Sequence, residues 1–492
     1  MNTAGTTQRP VPGPPRQAGG RHYPAIVIGA GQAGLAMSHC LVGYGIDHVV
    51  LERHRIGHEW RERRWDSFCL VTPNWQCQLP GYPYQGPDPD GFMAREEIVA
   101  YVEGYADSFR PPVQENTEVT RLRRNAGDRF EIATSRGDFT AGQVVLATGP
   151  YHAPAIPRMA ERLPAGAASL HSSRYRNPSA LPDGAVLVVG TGQSGCQIAE
   201  DLHLAGRRVH LAAGSAPRVA RRYRGRDVVA WLDAMGHYDR GVDQFENADA
   251  LRLRANHYVT GRDGGHDIDL RVFAREGMRL YGRLTAIDET MARFAPDLAS
   301  SLDQADAVSE SIKDSIDAFI AARGMAVADE ARQPPAWQPA DEPRELDLEA
   351  SGISAVVWAT GFRGEYRWIE VPVFDGRGYP VHTRGVTSCP GLYVLGLPWQ
   401  YTWGSGRFSG VGRDAMHLAE HIRGFAEPGC CAGLCGPATA VPTASALPAT
   451  DPAGPAPPAA VPAGPAPPAA VPAGPAGPAL RAPVQTVEAS PA

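Results

Sequence analysis

Six glycines at matched spacing are the residues best placed to do chemistry in this chain. Gly29, Gly31 and Gly34 lie in "GAGQAG", and Gly190, Gly192 and Gly195 lie in "GTGQSG". A Gly-x-Gly-x-x-Gly between an apolar strand and a helix holds the pyrophosphate of a dinucleotide. The first glycine permits the tight turn, the second lets phosphate approach the backbone, and the third lets helix pack on strand. The amides of Gln32, Ala33 and Gly34, and those of Gln193, Ser194 and Gly195, would then face phosphate at the positive end of a helix dipole.

The two copies differ where the ribose would lie. Glu52 stands 23 residues after Gly29 and ends the strand "HVVLE", where a carboxylate accepts ribose hydroxyls. Such a site suits FAD or NAD equally. The same count from Gly190 reaches Ala213, so the acid is missing. Ser215, Arg218 and Arg221 follow, with Arg222, Arg224 and Arg226 behind them. Serine and arginine attract a 2′-phosphate that an acid would repel, which favours NADPH over NADH. Pairing with Asp227 and Asp233 is the other use open to these arginines.

The elements that must hold these glycines are strand–helix–strand units. "AIVIGAGQAGLAMSHCLVGYGIDHVVLE" (25–52) is one, and "AVLVVGTGQSGCQIAEDLHLAGRRVHL" (185–211) is the other. Between and around them lie "FEIATS", "GDFTAGQVVLATG", "GISAVVWATGF" and "GLYVLG", all read as strands. The stretch 231–332 is read as a helical insertion, with Val308, Ile312, Ile316, Phe319 and Ile320 on one helix face. Residues 1–21 form a Pro/Gly-rich arm, and 426–492 form a Pro/Ala-rich tail in which "PAGPAPPAAV" occurs twice; both are expected to be disordered.

Bulk properties exclude several classes. The net charge of −6 gives no reason to expect nucleic acid as a partner. No apolar run reaches the ~20 residues a membrane helix needs, and no secretory signal is expected at the N-terminus. The eight cysteines contain no Cys-x-x-Cys, so a disulfide framework and dithiol chemistry are not expected, and a cytoplasmic location is. "GCCAGLCG" in the tail and His266 with Asp269 lack a full ligand set, so no metal is expected.

With these residues in view, the chain resembles the FAD- and NADPH-dependent flavoprotein monooxygenases, the group of flavin-containing monooxygenases and Baeyer–Villiger enzymes. The resemblance spans 22–425. It rests on both cradles, on "IGHEWRERRWDSFCLVTPNWQCQLPG", on the two crossings "VVLATGPY" and "VVWATGF", and on "LHSSRYRNP", where His171, Ser172 and Tyr175 hold a linker signature. Ala165 and Ala167 stand where that signature has Phe and Gly. "RWDSFCLVTPNWQCQLPG" and "NHYVTGRDGG" are similar to a subgroup found in bacterial gene clusters with a nitrilase.

The resemblance implies an α/β fold of two Rossmann-type domains, one for FAD and one for NADPH, the second inserted in the first. The FAD domain would comprise 22–158 and 352–425, and the NADPH domain 159–351. Arg53, Trp60 and Arg61 would join Glu52 around FAD, and Thr148, Gly149, Thr360 and Gly361 would mark the crossing strands. Gly396 and the glycine-rich loop before the last helix would approach the flavin. Reduced flavin would react with O2 to give a C4a-hydroperoxide that oxygenates a small molecule at a soft nitrogen, sulfur or carbonyl carbon, and the subgroup hints at nitrogenous metabolites.

Asn74 and Gln78 are candidates for a hydrogen bond to that species. "NHYVTGRDGGHDIDLR" (256–271) reads equally as a substrate loop or a structural one. A dehydrogenase or oxidase that inserts no oxygen, and a flavin-binding sensor without turnover, are the other readings. A homo-oligomer is compatible with all of them.

Overall fold

The computed structural model describes residues 21–253 and 255–425; the arm up to residue 20 and the tail from 426, with its three cysteines, lie outside them. Along the chain run β1 (Arg21–Ile28), α1 (Gln32–Gly43), β2 (His48–Leu51) and β3 (Gly137–Leu146). Next come β4 (Ala168–His171), β5 (Ala185–Val189), α2 (Gln193–Leu204), β6 (Val209–Ala212) and β7 (Arg279–Tyr281). The series ends with α3 (Leu298–Ala322), β8 (Ile353–Trp358), β9 (Leu392–Val394) and α4 (Val411–Gly424).

A mixed nine-stranded sheet with a parallel centre and a wholly parallel five-stranded sheet carry the two cradles. The first runs β9-β3-β1-β2 and continues to Val113–Gln114. The second runs β4-β8-β5-β6-β7. The first sheet therefore takes strands from both sides, in sequence, of the segment that builds the second. Short apolar strands suit burial on both faces, and successive side chains point to opposite faces. In β1, Ala25 and Val27 enter one core with Leu35, Leu41 and Leu418, while Ile26 and Ile28 enter another with Phe130 and Ile132. In β5, Val186 and Val188 face Ile198 and Leu202 of α2, and Leu187 and Val189 face Trp358 and Ile287.

The helical reading of 231–332 is corrected in part. Helix α3 forms, with Ile312, Ile316, Phe319 and Ile320 buried and Val308 packed beside them. However, β7 lies inside this stretch as the edge of the second parallel sheet, and Leu284–Asp288 and Met291–Phe294 form an antiparallel hairpin. Strands of three to five residues interrupted by arginine, glycine and aspartate are too short for a period of two to stand out. Among the described residues no helix is long and apolar enough to cross a membrane. Cys40, Cys69, Cys77, Cys196 and Cys389 are free thiols.

Candidate dinucleotide sites and the junction between them

The two cradles repeat contact for contact. Gly29 and Gly190 have φ of +103° and +102°, a region closed to most side chains. A Cβ on Gly29 would lie 2.7 Å from the carbonyl oxygen of Ala147, and one on Gly190 2.8 Å from that of Ala359. A Cβ on Gly34 would lie 1.8 Å from the Gly29 oxygen, and one on Gly195 1.9 Å from the Gly190 oxygen. By contrast, a Cβ on Gly31 or Gly192 would meet nothing within 4 Å. Each cradle is thus closed underneath and open above its middle glycine, which is the shape a pyrophosphate requires.

The strand ends differ. Glu52 is pinned at the end of β2: one carboxylate oxygen accepts the amide of Ala30 at 2.8 Å and the other that of His54 at 2.8 Å. In the second cradle Thr191, the counterpart of Ala30, turns its hydroxyl to the amide of Gly214 at 2.9 Å. Ala213 is buried there and Ser215 is exposed.

Three of the arginines after Ser215 pair with carboxylates within the protein, the other use that the sequence leaves open to them. Arg218 pairs with Asp306 of α3 and, at 3.5 Å, with Asp269. Arg221 is 1% exposed; it pairs with Asp227 at 2.7 Å, donates to the Val71 carbonyl and covers the Phe92 ring. Arg224 pairs with Asp317 and Asp329, and Arg226 lies over Trp231. The acids that pair with Arg218 and Arg224 are Asp269, Asp329 and, on α3, Asp306 and Asp317, all distant in sequence, so only the fold discloses them.

Two histidines tie the crossings. Nδ1 of His152 accepts the amide of Glu365 at 2.9 Å, leaving Nε2–H to donate to the Thr148 hydroxyl at 3.1 Å. Nε2–H of His171 donates to the Gly361 carbonyl at 2.8 Å, and Nδ1 accepts the amide of Ser173. Burial pushes both below the ordinary histidine pKa, which agrees with these neutral tautomers. Gly149 and Gly361 have φ of +70° and +79°, so both crossings turn through left-handed glycines.

The loop from Gly396 to Gly410 roofs the first cradle. Gly396 abuts Ala33, and the Gln32 side chain donates to the Gly406 carbonyl at 3.3 Å. Phe408 stacks on Trp60 at 5.6 Å, and α4 follows directly. Arg61 is held by Glu103, while Arg53 is exposed. Asn74 is buried, its amide NH2 donating to the Asp88 carbonyl and its Oδ1 accepting the Met93 amide. Gln78 is exposed, with its amide NH2 on the Trp75 carbonyl. It lines a depression of about 560 Å³ beside α4 with Pro80, Ser409 and Gly412.

The loop 256–271 is a structural latch in its second half. Arg262 pairs with Asp201 at 2.8 Å and His266 with Glu200 at 2.7 Å, both acids lying on α2. Asp201 also accepts from Ser67 and Tyr175, joining the insertion, the linker and the first segment to one buried carboxylate. The first half lies elsewhere: the Val259 carbonyl accepts from Gln193 at the start of α2, and Asn256 accepts from Arg407 in the roof loop. Arg407 was not singled out in the sequence; a single arginine inside "GSGRFSG" was the available signal.

A pyridine nucleotide-disulphide oxidoreductase family model matches residues 26–237. The CzcO-like oxidoreductase of Geobacillus kaustophilus is 35% identical over 405 residues, covering 81% of this chain and 97% of that one. The CzcO oxidoreductase of Bacillus subtilis is 31% identical, covering 82% and 99%. Among solved structures, a flavin-containing monooxygenase from Stenotrophomonas maltophilia has a TM-score of 0.56 at 19% identity, covering 82% of this chain and 99% of that one.

Proposed function

Because the chain belongs to the CzcO-like oxidoreductases of the flavin-containing monooxygenase family, we propose that it uses NADPH and FAD to oxygenate a small molecule with O2. The observation that carries this reading is the paired cradle. Both are closed by the same glycine contacts, yet only the first ends in an acid. FAD belongs in the first and NADPH in the second. When bound, the flavin takes a hydride from NADPH and activates oxygen.

The chain's own groups bind, orient and exclude water. The Glu52 carboxylate, held by two amides, keeps lone pairs that would accept ribose hydroxyls of the bound dinucleotide. The amides of Gln32, Ala33 and Gly34 at the start of α1 hold one pyrophosphate, and those of Gln193, Ser194 and Gly195 hold the other. Ser215 is exposed at the end of β6, where a 2′-phosphate meets no acid. The stack of Trp60 on Phe408 and the roof loop keep water from the flavin side. The positive end of α4 favours negative charge beneath that roof.

Stopped-flow absorbance tests the reading. Anaerobic NADPH should bleach the bound flavin. Subsequent mixing with O2 should give a transient that precedes reoxidation and is consumed without equivalent peroxide once substrate is present. Immediate reoxidation with stoichiometric peroxide would instead identify an oxidase, and a flavin that NADPH does not reduce would remove the proposal.

A further inference from the structure

Arg407 is a half-buried cation for which no described carboxylate serves as partner. Its guanidinium lies 3.8 Å from the centroid of the Trp403 ring. One nitrogen donates to the Trp403 carbonyl and another to Asn256 Oδ1 at 2.8 Å, both neutral acceptors. The other polar groups that bear on it are the phenols of Tyr238 and Tyr151, and burial pulls its pKa below the ordinary arginine value. Several other buried arginines of the chain differ. Arg218, Arg221, Arg224 and Arg271 are buried more deeply or comparably, and each has a carboxylate. A guanidinium half-withdrawn from water, with neutral acceptors and an aromatic face as its partners, is well placed to take an anion from another molecule.

Its place in the fold says which molecule. Arg407 follows Gly406, whose carbonyl is bonded by Gln32 at the mouth of the first cradle. Its partner Asn256 lies three residues before Val259, whose carbonyl is bonded by Gln193 at the mouth of the second. The guanidinium therefore stands where segments anchored to both cradles meet. Trp403 and Tyr238, 4.5 Å apart between ring centroids, form an apolar wall beside it.

We propose that Arg407 anchors the substrate through a carboxylate, so that the substrate is a small organic acid whose apolar body packs along Trp403 and Tyr238. This rests on the flavin reading above. An arginine's planar fork takes a carboxylate through two parallel hydrogen bonds, which fixes orientation as well as charge.

The test uses the full chain as purified with FAD, and titrates benzoate and phenylacetate against neutral benzamide. Binding is read by calorimetry, which needs no chromophore, and in parallel by the flavin spectrum. At least one acid should bind saturably and benzamide should not. R407Q should raise the acid's Kd at least about tenfold, the usual loss for a charged hydrogen bond, with flavin content and midpoint potential unchanged. R407K, which keeps the charge without the fork and is the control should R407Q fold poorly, should give a smaller rise. Acid binding indifferent to both variants, or absent in the wild type, overturns the proposal. A shifted flavin midpoint potential with unchanged acid binding overturns it too, and assigns Arg407 to the cofactor. Wild-type protein that takes up no FAD defeats the flavin reading instead.

Discussion

Gly34 sits so close under Gly29 that a Cβ on it would stand 1.8 Å from the Gly29 carbonyl oxygen. Gly195 repeats the contact with Gly190 at 1.9 Å. Both obstacles are backbone, so an alanine there must push the helix off its turn. G34A should yield protein that retains no FAD. G195A should leave the protein yellow but weaken 2′,5′-ADP binding at least about tenfold, or 1.4 kcal/mol. Flavin content and calorimetry separate the two, and a G34A variant with full flavin would refute the assignment of FAD to the first cradle.

Ala213 is where the second cradle lacks the acid that Glu52 supplies to the first. Thr191 is the counterpart of Ala30, so its amide is placed to receive a carboxylate from the end of β6 as Ala30 does from Glu52. A213E should therefore repel a 2′-phosphate and accept a ribose hydroxyl. The ratio of 2′,5′-ADP to 5′-AMP affinity should fall about tenfold or more. An unchanged ratio would mean that this strand end does not face the ribose.

Arg218 provides the opposite kind of test, because its guanidinium is engaged by Asp306 and Asp269 inside the protein. Removing a buried partner leaves the other charges uncompensated. Arg271 also pairs with Asp306, which moderates the loss. R218Q should cost about 2–4 kcal/mol of stability while moving the KM for NADPH less than about twofold. Chemical denaturation and steady-state kinetics measure both. A large KM effect with unchanged stability would return Arg218 to the phosphate.

These cases show what could be read from the residues alone. The cradles, Glu52 and the two crossings were legible because strand, glycine spacing and helix are contiguous, so one local pattern carries the whole geometry. The ion pair of Arg218 is not legible because Asp306 lies far along the chain on α3, whereas the pairing of Arg221 with the nearby Asp227 is one of the two uses the sequence leaves open. The hold of the Asp88 and Met93 backbone on Asn74 is likewise not legible, because it depends on how the intervening loop folds back. Strand β7 escaped notice at three residues, since its burial depends on β6 beside it. Arg407 gave no signal beyond a glycine-rich run, because what distinguishes it is the lack of a described acid in its surroundings.

His210 should make stability depend on pH. It lies on β6, 7% exposed, with its Nδ1 accepting the Tyr281 hydroxyl at 2.9 Å. Burial foremost, then Arg279 and Arg208, pushes its pKa down to about 4. The unfolded chain takes up this proton near pH 6.5, whereas the folded protein resists it until about pH 4. Above pH 6.5 the residue is neutral in both states and has no effect. As pH falls through that window the unfolded state gains, and stability drops by up to about 3 kcal/mol from this group. H210Q keeps an acceptor for Tyr281 but cannot titrate, so its melting temperature should decline less steeply between pH 7 and pH 4.5 than that of the wild type. His237 and His382, also lowered to about 4, remain in the variant. The slope should therefore shrink rather than vanish, and an unaltered slope would show that His210 is not held neutral in the fold.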